Sequence, residues 1–126
     1  MDIQELMAAL AAEAGLSGID PDADGVYDIS LDGIDISVGA APGADALLVC
    51  AIVGELPSDG RERLYETLLR AMYRGCETAG AAFALDRETD AILLQKRLPL
   101  STLDHGRLAD ELEAFAGVVA KWRNRV

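Results

Sequence analysis

The residues with the strongest claim to chemistry are the carboxylates of Asp20-Pro21-Asp22-Ala23-Asp24-Gly25. The stretch matches the D-x-D-x-D-G opening of a calcium loop, in which alternate side-chain oxygens converge on a hard cation and the glycine allows the sharp turn. Such a loop ends in a bidentate glutamate at its twelfth position, where this chain has Leu31, and a second helix should follow. Instead Tyr27, Ile29 and Leu31 alternate with Asp28, Ser30 and Asp32, which is the period of a strand. Calcium binding through Asp20, Asp22 and Asp24 thus stands as an alternative to an acidic turn leading into a strand, and the alternation favours the turn.

Other candidates for chemistry are few. His105 is the single histidine and falls at the start of a helix, where a solvated or capping role suffices. Cys50 lies inside an apolar run and Cys76 at a helix end; without C-x-x-C spacing they give no metal signal and read as reduced thiols. Gly39-Ala40-Ala41-Pro42-Gly43 lacks the spacing and the lysine of a phosphate loop. No serine or cysteine has a recognisable base beside it. The expectation is a protein that is not an enzyme and uses no cofactor or metal.

Composition narrows the partners. The 126 residues suit one domain spanning 1–126, and 51% hydrophobic with 26% charged residues is ordinary for a globular chain. The charge is not ordinary: 11 basic against 22 acidic residues give a net −11. Nucleic acid and anionic membrane surfaces would repel such a chain. The start, Met-Asp-Ile-Gln, shows no basic segment followed by an apolar one, so no signal peptide is expected. No stretch is long and apolar enough to span a bilayer. A cytoplasmic location is the expectation.

The elements that must position these residues follow from periodicity. Residues 2–15 predict a helix, with Ile3, Leu6, Met7 and Leu10 on one stripe and an alanine-rich back. After a loop over 16–25, residues 26–32 predict a strand, and Asp32-Gly33 a two-residue hairpin turn. Ile34, Ile36 and Val38 continue the alternation. The run Ala46–Leu56 is almost unbroken apolar sequence and predicts a strand buried on both faces. Asp59 with Glu62 suggests a capping box for a helix from Gly60 to about Gly75. On that helix Leu64, Leu68 and Met72 form one apolar line and Tyr65, Leu69, Tyr73 and Cys76 an adjoining one. Together they cover about half the circumference, more than one-sided packing on a sheet needs, and a homodimer interface is the simplest use of the surplus. A short strand near 82–85, a turn over 86–90 and a strand over 92–98 come next. Ser101 with Asp104 suggests a second capping box. The last helix carries Leu108, Leu112, Phe115, Val119 and Trp122 at core spacing. The fold class is α+β, in the order α-β-β-β-α-β-β-α, a twisted antiparallel sheet covered by three helices.

The second half of the chain resembles the class I type III secretion chaperones, the Tir-chaperone (CesT-like) family. The resemblance runs over Leu68-Leu69-Arg70-Ala71-Met72, Glu77-Thr78-Ala79-Gly80-Ala81, Phe83-Ala84-Leu85-Asp86, Ile92-Leu93-Leu94-Gln95, Arg97-Leu98-Pro99-Leu100 and Leu103-Asp104, closing on Leu108, Leu112, Phe115 and Trp122. Each piece is common; their order over about 55 residues is the specific signal. The first half agrees in element order and in its acidic turn. The resemblance implies a small acidic cytoplasmic homodimer that binds the N-terminal segment of a secreted effector, keeps it extended and secretion-competent, and uses no ATP. An extended client can add a strand to an exposed sheet edge, here residues 26–32, with Leu6, Leu10, Ile29, Leu31 and Ile36 as expected effector-binding residues. Leu64, Tyr65, Leu68 and Met72 are the expected dimer residues, and a charge at Leu68 is expected to break the dimer. The chain departs from many relatives in having Met72 and Tyr73 where they carry an asparagine. A same-fold regulator that binds another protein and serves no secreted effector remains the alternative.

Overall fold

Asp2 caps the first helix: its carboxylate accepts the Glu5 N–H at 2.8 Å, replacing one of the bonds a helix start lacks. The computed structural model describes residues 2–15, 19–43 and 45–126, so the first residues of the expected loop over 16–25 lie outside it. Helix α1 runs Ile3–Ala14 and stops at Gly15, which takes a left-handed conformation (φ +67°) that costs glycine little. Strands β1 (Tyr27–Leu31), β2 (Ile34–Ala40) and β3 (Ala46–Glu55) follow. Helix α2 is Arg61–Ala71, β4 is Ala82–Leu85, β5 is Ala91–Pro99 and α3 is His105–Arg123. Two short 3-10 turns, Tyr73–Gly75 and Leu100–Thr102, complete the expected order.

The sheet is antiparallel throughout, with strand order β1-β2-β3-β5-β4. Asp32 and Gly33 both have positive φ, 52° and 80°, the signature of a type I′ turn whose twist matches the hairpin. The turn pairs Leu31 with Ile34 and Ile29 with Ile36, so their side chains share the core face. Helices α1 and α3 pack on each other, and α3 lies on β2 and β3. Leu108, Leu112, Phe115, Val119 and Trp122 are all buried against this face, at roughly 1.5–3 kcal/mol for each large side chain.

Four expectations change. The run Ala46–Leu56 is not buried on both faces. Leu47, Val49, Ala51 and Val53 are core, whereas Leu48 and Cys50 are half-covered and Ile52 is 52% exposed, because both covering helices lie on the same side. The Asp59–Glu62 capping box does not form: Gly60 (φ +76°) occupies the capping position with no side-chain bond, which displaces Asp59 one residue from where it could cap. Likewise Asp104, not Ser101, caps α3, accepting the Arg107 N–H at 2.8 Å. The second helix is also shorter than its periodicity suggests. Arg74 (φ 55°) and Gly75 (φ 71°) are left-handed, which ends the helical path before Gly75.

Helix α2 touches the sheet sparsely. Leu68 and Ala71 enter the core and Leu64 packs half-buried against it. Its end is fastened by Trp122. The indole N–H donates to the Glu77 carbonyl at 3.0 Å, and the Phe83 ring meets the indole edge-on at 5.0 Å. The Arg125 guanidinium sits 4.6 Å from the indole centroid and pairs with Glu77 at 3.3 Å. These contacts hold the segment between α2 and β4, and so fix where β4 presents its free edge.

Candidate functional site

The sheet has two outer edges, and each adjoins an apolar hollow. The first hollow, about 230 Å³, lies between α1, α3 and the core face of β1. Leu10, Ile29, Leu31 and Leu112 line its apolar part, and Asp32 and Glu113 stand at its rim. Among the described residues no strand pairs with the outer side of β1. A two-residue turn makes Leu31–Ile34 a hydrogen-bonded pair, and alternation along the ladder then turns the main-chain N–H and C=O groups of Asp28 and Ser30 outward. The arrangement combines an open hydrogen-bonding edge with a trough for side chains on one of its faces.

The second hollow, about 360 Å³, lies between α2 and β4. Tyr65, Leu68, Leu69, Met72, Phe83 and Leu85 line it. Leu69 and Tyr73 are 65% and 69% exposed, and Leu85 is exposed beside them. Strand β4, Ala-Phe-Ala-Leu, is an edge strand without a charge. Such an edge invites pairing unless something covers it.

Of the expected effector-binding residues, Leu10, Ile29 and Leu31 line the first hollow. Leu6 and Ile36 are 0% and 1% exposed and belong to the core beneath it; Leu10 and Ile29, at 5% and 6%, are themselves core residues that form its floor. Of the expected dimer residues, Tyr65, Leu68 and Met72 line the second hollow. Leu64 faces the core, and Leu68 is only the hollow's buried floor. A charge at Leu68 would therefore disturb the fold itself as well as the hollow above it. The outward-facing residues are Leu69, Tyr73 and Leu85, which the sequence reading did not single out for this role. Their line on the helix was visible; which line faces in depends on how the strands pack.

The remaining candidates resolve into structure. Asp22 Oδ1 accepts the N–H groups of Asp24 and Val26 at 2.8 and 3.0 Å, so the acidic stretch is a turn running into β1 rather than into the helix a calcium loop needs. Among the described residues no three His, Cys, Asp or Glu side chains gather as a metal site. His105 Nε2 lies 3.0 Å from Glu13 Oε2 and ties the start of α3 to the end of α1. Burial pushes the Cys50 thiol above its ordinary value, offset in part by a hydrogen bond with the Ser37 side chain. No described helix is long and apolar enough to cross a membrane.

One signal present in the sequence went unread. Residues 1–60 contain twelve carboxylates and no lysine or arginine; residues 61–126 contain all eleven basic residues and ten carboxylates. The two parts carry −12 and +1, which together make the net −11. The strand order keeps the parts from interleaving: β1, β2 and β3 form one side of the sheet, β5 and β4 the other. Among the described residues the twelve carboxylates include a single ion-pair member, Glu13 with His105.

The described residues form an α+β fold, a five-stranded antiparallel sheet with helices on one face and an apolar hollow beside each of its two outer strands. Residues 5–123 match the Tir chaperone protein (CesT) family, and the chain belongs to that family. A sequence comparison with curated proteins finds no match. Among solved structures, the fold is similar to a chain of the HopA1–SchA chaperone–effector complex, with a TM-score of 0.76 at 15% identity, covering 96% of this chain and 92% of the other. It is equally similar to a chain of the ExsC–ExsE complex, with a TM-score of 0.76 at 19% identity over 98% and 96%. The Yersinia pestis type III secretion chaperone SycH in complex with a fragment of YscM2 gives a TM-score of 0.70 at 21% identity over 94% and 97%.

Proposed function

We propose that this protein is a type III secretion chaperone that binds an N-terminal segment of a secreted effector and keeps it extended and secretion-competent in the cytoplasm, without ATP. The observation that carries the reading is the apolar trough beside the unpaired edge of β1, with Leu10, Ile29 and Leu31 in its wall. An extended segment added there gains main-chain hydrogen bonds from the edge, and every second side chain enters the trough. Similar structures determined as chaperone–effector or other two-protein complexes support the same use of the fold.

The active unit in this reading is a homodimer joined across α2 and β4. Leu69 and Leu85 line an apolar hollow and Tyr73 is exposed next to Leu69, and a two-fold axis lets one such patch cover its own copy. The test is capture of the client from native cells without ATP, followed by limited proteolysis and mass spectrometry. The expected result is one secreted protein protected over a stretch of its N-terminal region. Capture of a regulator that is not secreted, under inducing conditions, would leave the fold standing and move the function to the regulatory alternative.

A further inference from the structure

The β1 trough also specifies the chemistry of what fills it. We infer that its occupant is an extended segment of a partner protein in which apolar residues alternate with basic ones; this rests on the reading of the trough as the client site. The first argument is the pleat. A strand added beside β1 must continue the sheet, so its successive side chains point to opposite faces. On one face they meet Leu10, Ile29, Leu31 and Leu112, where only apolar side chains are desolvated without loss. On the other face they stand beside Asp28 and Ser30 of β1, with Asp35 opposite Ser30 on β2. Both carboxylates are exposed.

The second argument is charge complementarity. Asp32 and Glu113 stand at the two sides of the trough, and residues 1–60 supply no lysine or arginine anywhere. No lysine or arginine lines the trough. Among the described residues the ion pairs of Arg61, Arg70, Lys96 and Arg125 are with Asp90, Glu66, Glu111 and Glu77, all in the second half. An acidic segment would meet like charge on the open face and at the rim. A neutral one would leave the carboxylates as they are. A segment with lysine or arginine at the intervening positions gains a cross-strand pair with Asp28 and rim pairs with Asp32 and Glu113, each modest alone. Together they steer encounter and exclude the wrong client.

The experiment uses the full chain and three synthetic peptides of about ten residues, the length of a strand that spans β1 with overhang. All three carry Leu and Val at alternate positions, and the intervening positions are Lys, Gln or Glu. Binding is followed by fluorescence anisotropy from about 50 to about 300 mM salt, a range over which screening shortens from beyond the width of a strand pair to within it. The lysine peptide is expected to bind about tenfold or more tightly than the glutamine peptide at the low-salt end, with the advantage fading as salt rises and the glutamate peptide weakest. The combined variant Asp28→Asn, Asp32→Asn, Glu113→Gln is expected to bring the lysine and glutamine peptides to similar affinity and to remove the salt dependence of the lysine peptide. Asparagine tolerates the left-handed position of residue 32, and a matching melting temperature verifies the fold. Equal, salt-insensitive binding of all three peptides overturns the inference but leaves the trough as a client site. Binding of none, with a client still captured from cells, overturns it and sends the client to another face. Binding of none with no client captured removes both readings.

Discussion

The two edges of the sheet differ in almost every respect that decides what can sit against them. Strand β1 alternates, Tyr-Asp-Ile-Ser-Leu, and ends in a tight turn. Its free side is lined by carboxylates and backed by a trough between two helices. Strand β4 is uncharged, one residue shorter, and flanked by a helix that turns Leu69 and Tyr73 outward. An edge rich in like charges repels a second copy of itself, whereas an uncharged edge with a neighbouring apolar helix suits one. In the proposed reading, one fold thereby keeps self-association and client binding on opposite ends of the same sheet.

The largest effect is expected at the β4 end, whose position depends on Trp122. Trp122→Ala removes the indole from Phe83, Arg125 and the Glu77 carbonyl, and is expected to cost about 3–5 kcal/mol by urea denaturation. A loss under 1 kcal/mol would mean that β4 is held by something else. Next is the division of labour itself. Leu69→Glu with Leu85→Glu should convert a dimer to a folded monomer by light scattering, a loss on the order of 2 kcal/mol or more. Leu31→Glu should leave the dimer intact and weaken client capture about tenfold or more. If either substitution produces the other's effect, the two edges are not separate sites.

Smaller effects sharpen the picture of the linker between them. Thr78 is 1% exposed and its hydroxyl has no partner among the described residues. Thr78→Val removes that unpaired group at similar shape and is expected to add about 1 kcal/mol of stability. A loss would reveal a bonded hydroxyl. The last effect is at the turn before β5. The N–H groups of Glu88 and Thr89 hold the Asp86 carboxyl below its ordinary value. That stabilisation is present above the unfolded-state value of about 4 and disappears as pH falls through the lower folded value. The wild type should therefore lose slightly more stability than Asp86→Asn between about pH 4 and pH 2, read from melting temperatures across that range.

Local patterns carried most of the fold. The alternation around Asp32-Gly33 placed a hairpin where both turn residues do have positive φ. The spacing of Leu108, Leu112, Phe115, Val119 and Trp122 marked a helix face that is buried throughout. What the sequence could not show was which side of an element would be covered. The run Ala46–Leu56 is as apolar on its open face as on its core face, since Leu48 and Ile52 differ from Val49 and Val53 only in what lies above them. The same limit separated Leu68 from Leu69. The absence of lysine and arginine before Arg61 was legible and needed only to be counted by halves. Its meaning depended on the strand order, which put those halves on different sides of the sheet.

Helix α2 enters the core with little more than Leu68 and Ala71 and leaves Leu69 and Tyr73 in water. In a single copy its amide protons should exchange with solvent sooner than those of α3, since local opening there exposes little additional apolar surface. A second copy seated on the same helix would bind the closed state alone, and mass action would then slow that exchange as the protein is concentrated. In the proposed dimer the steadiness of α2 would thus be a property of the solution as much as of the chain.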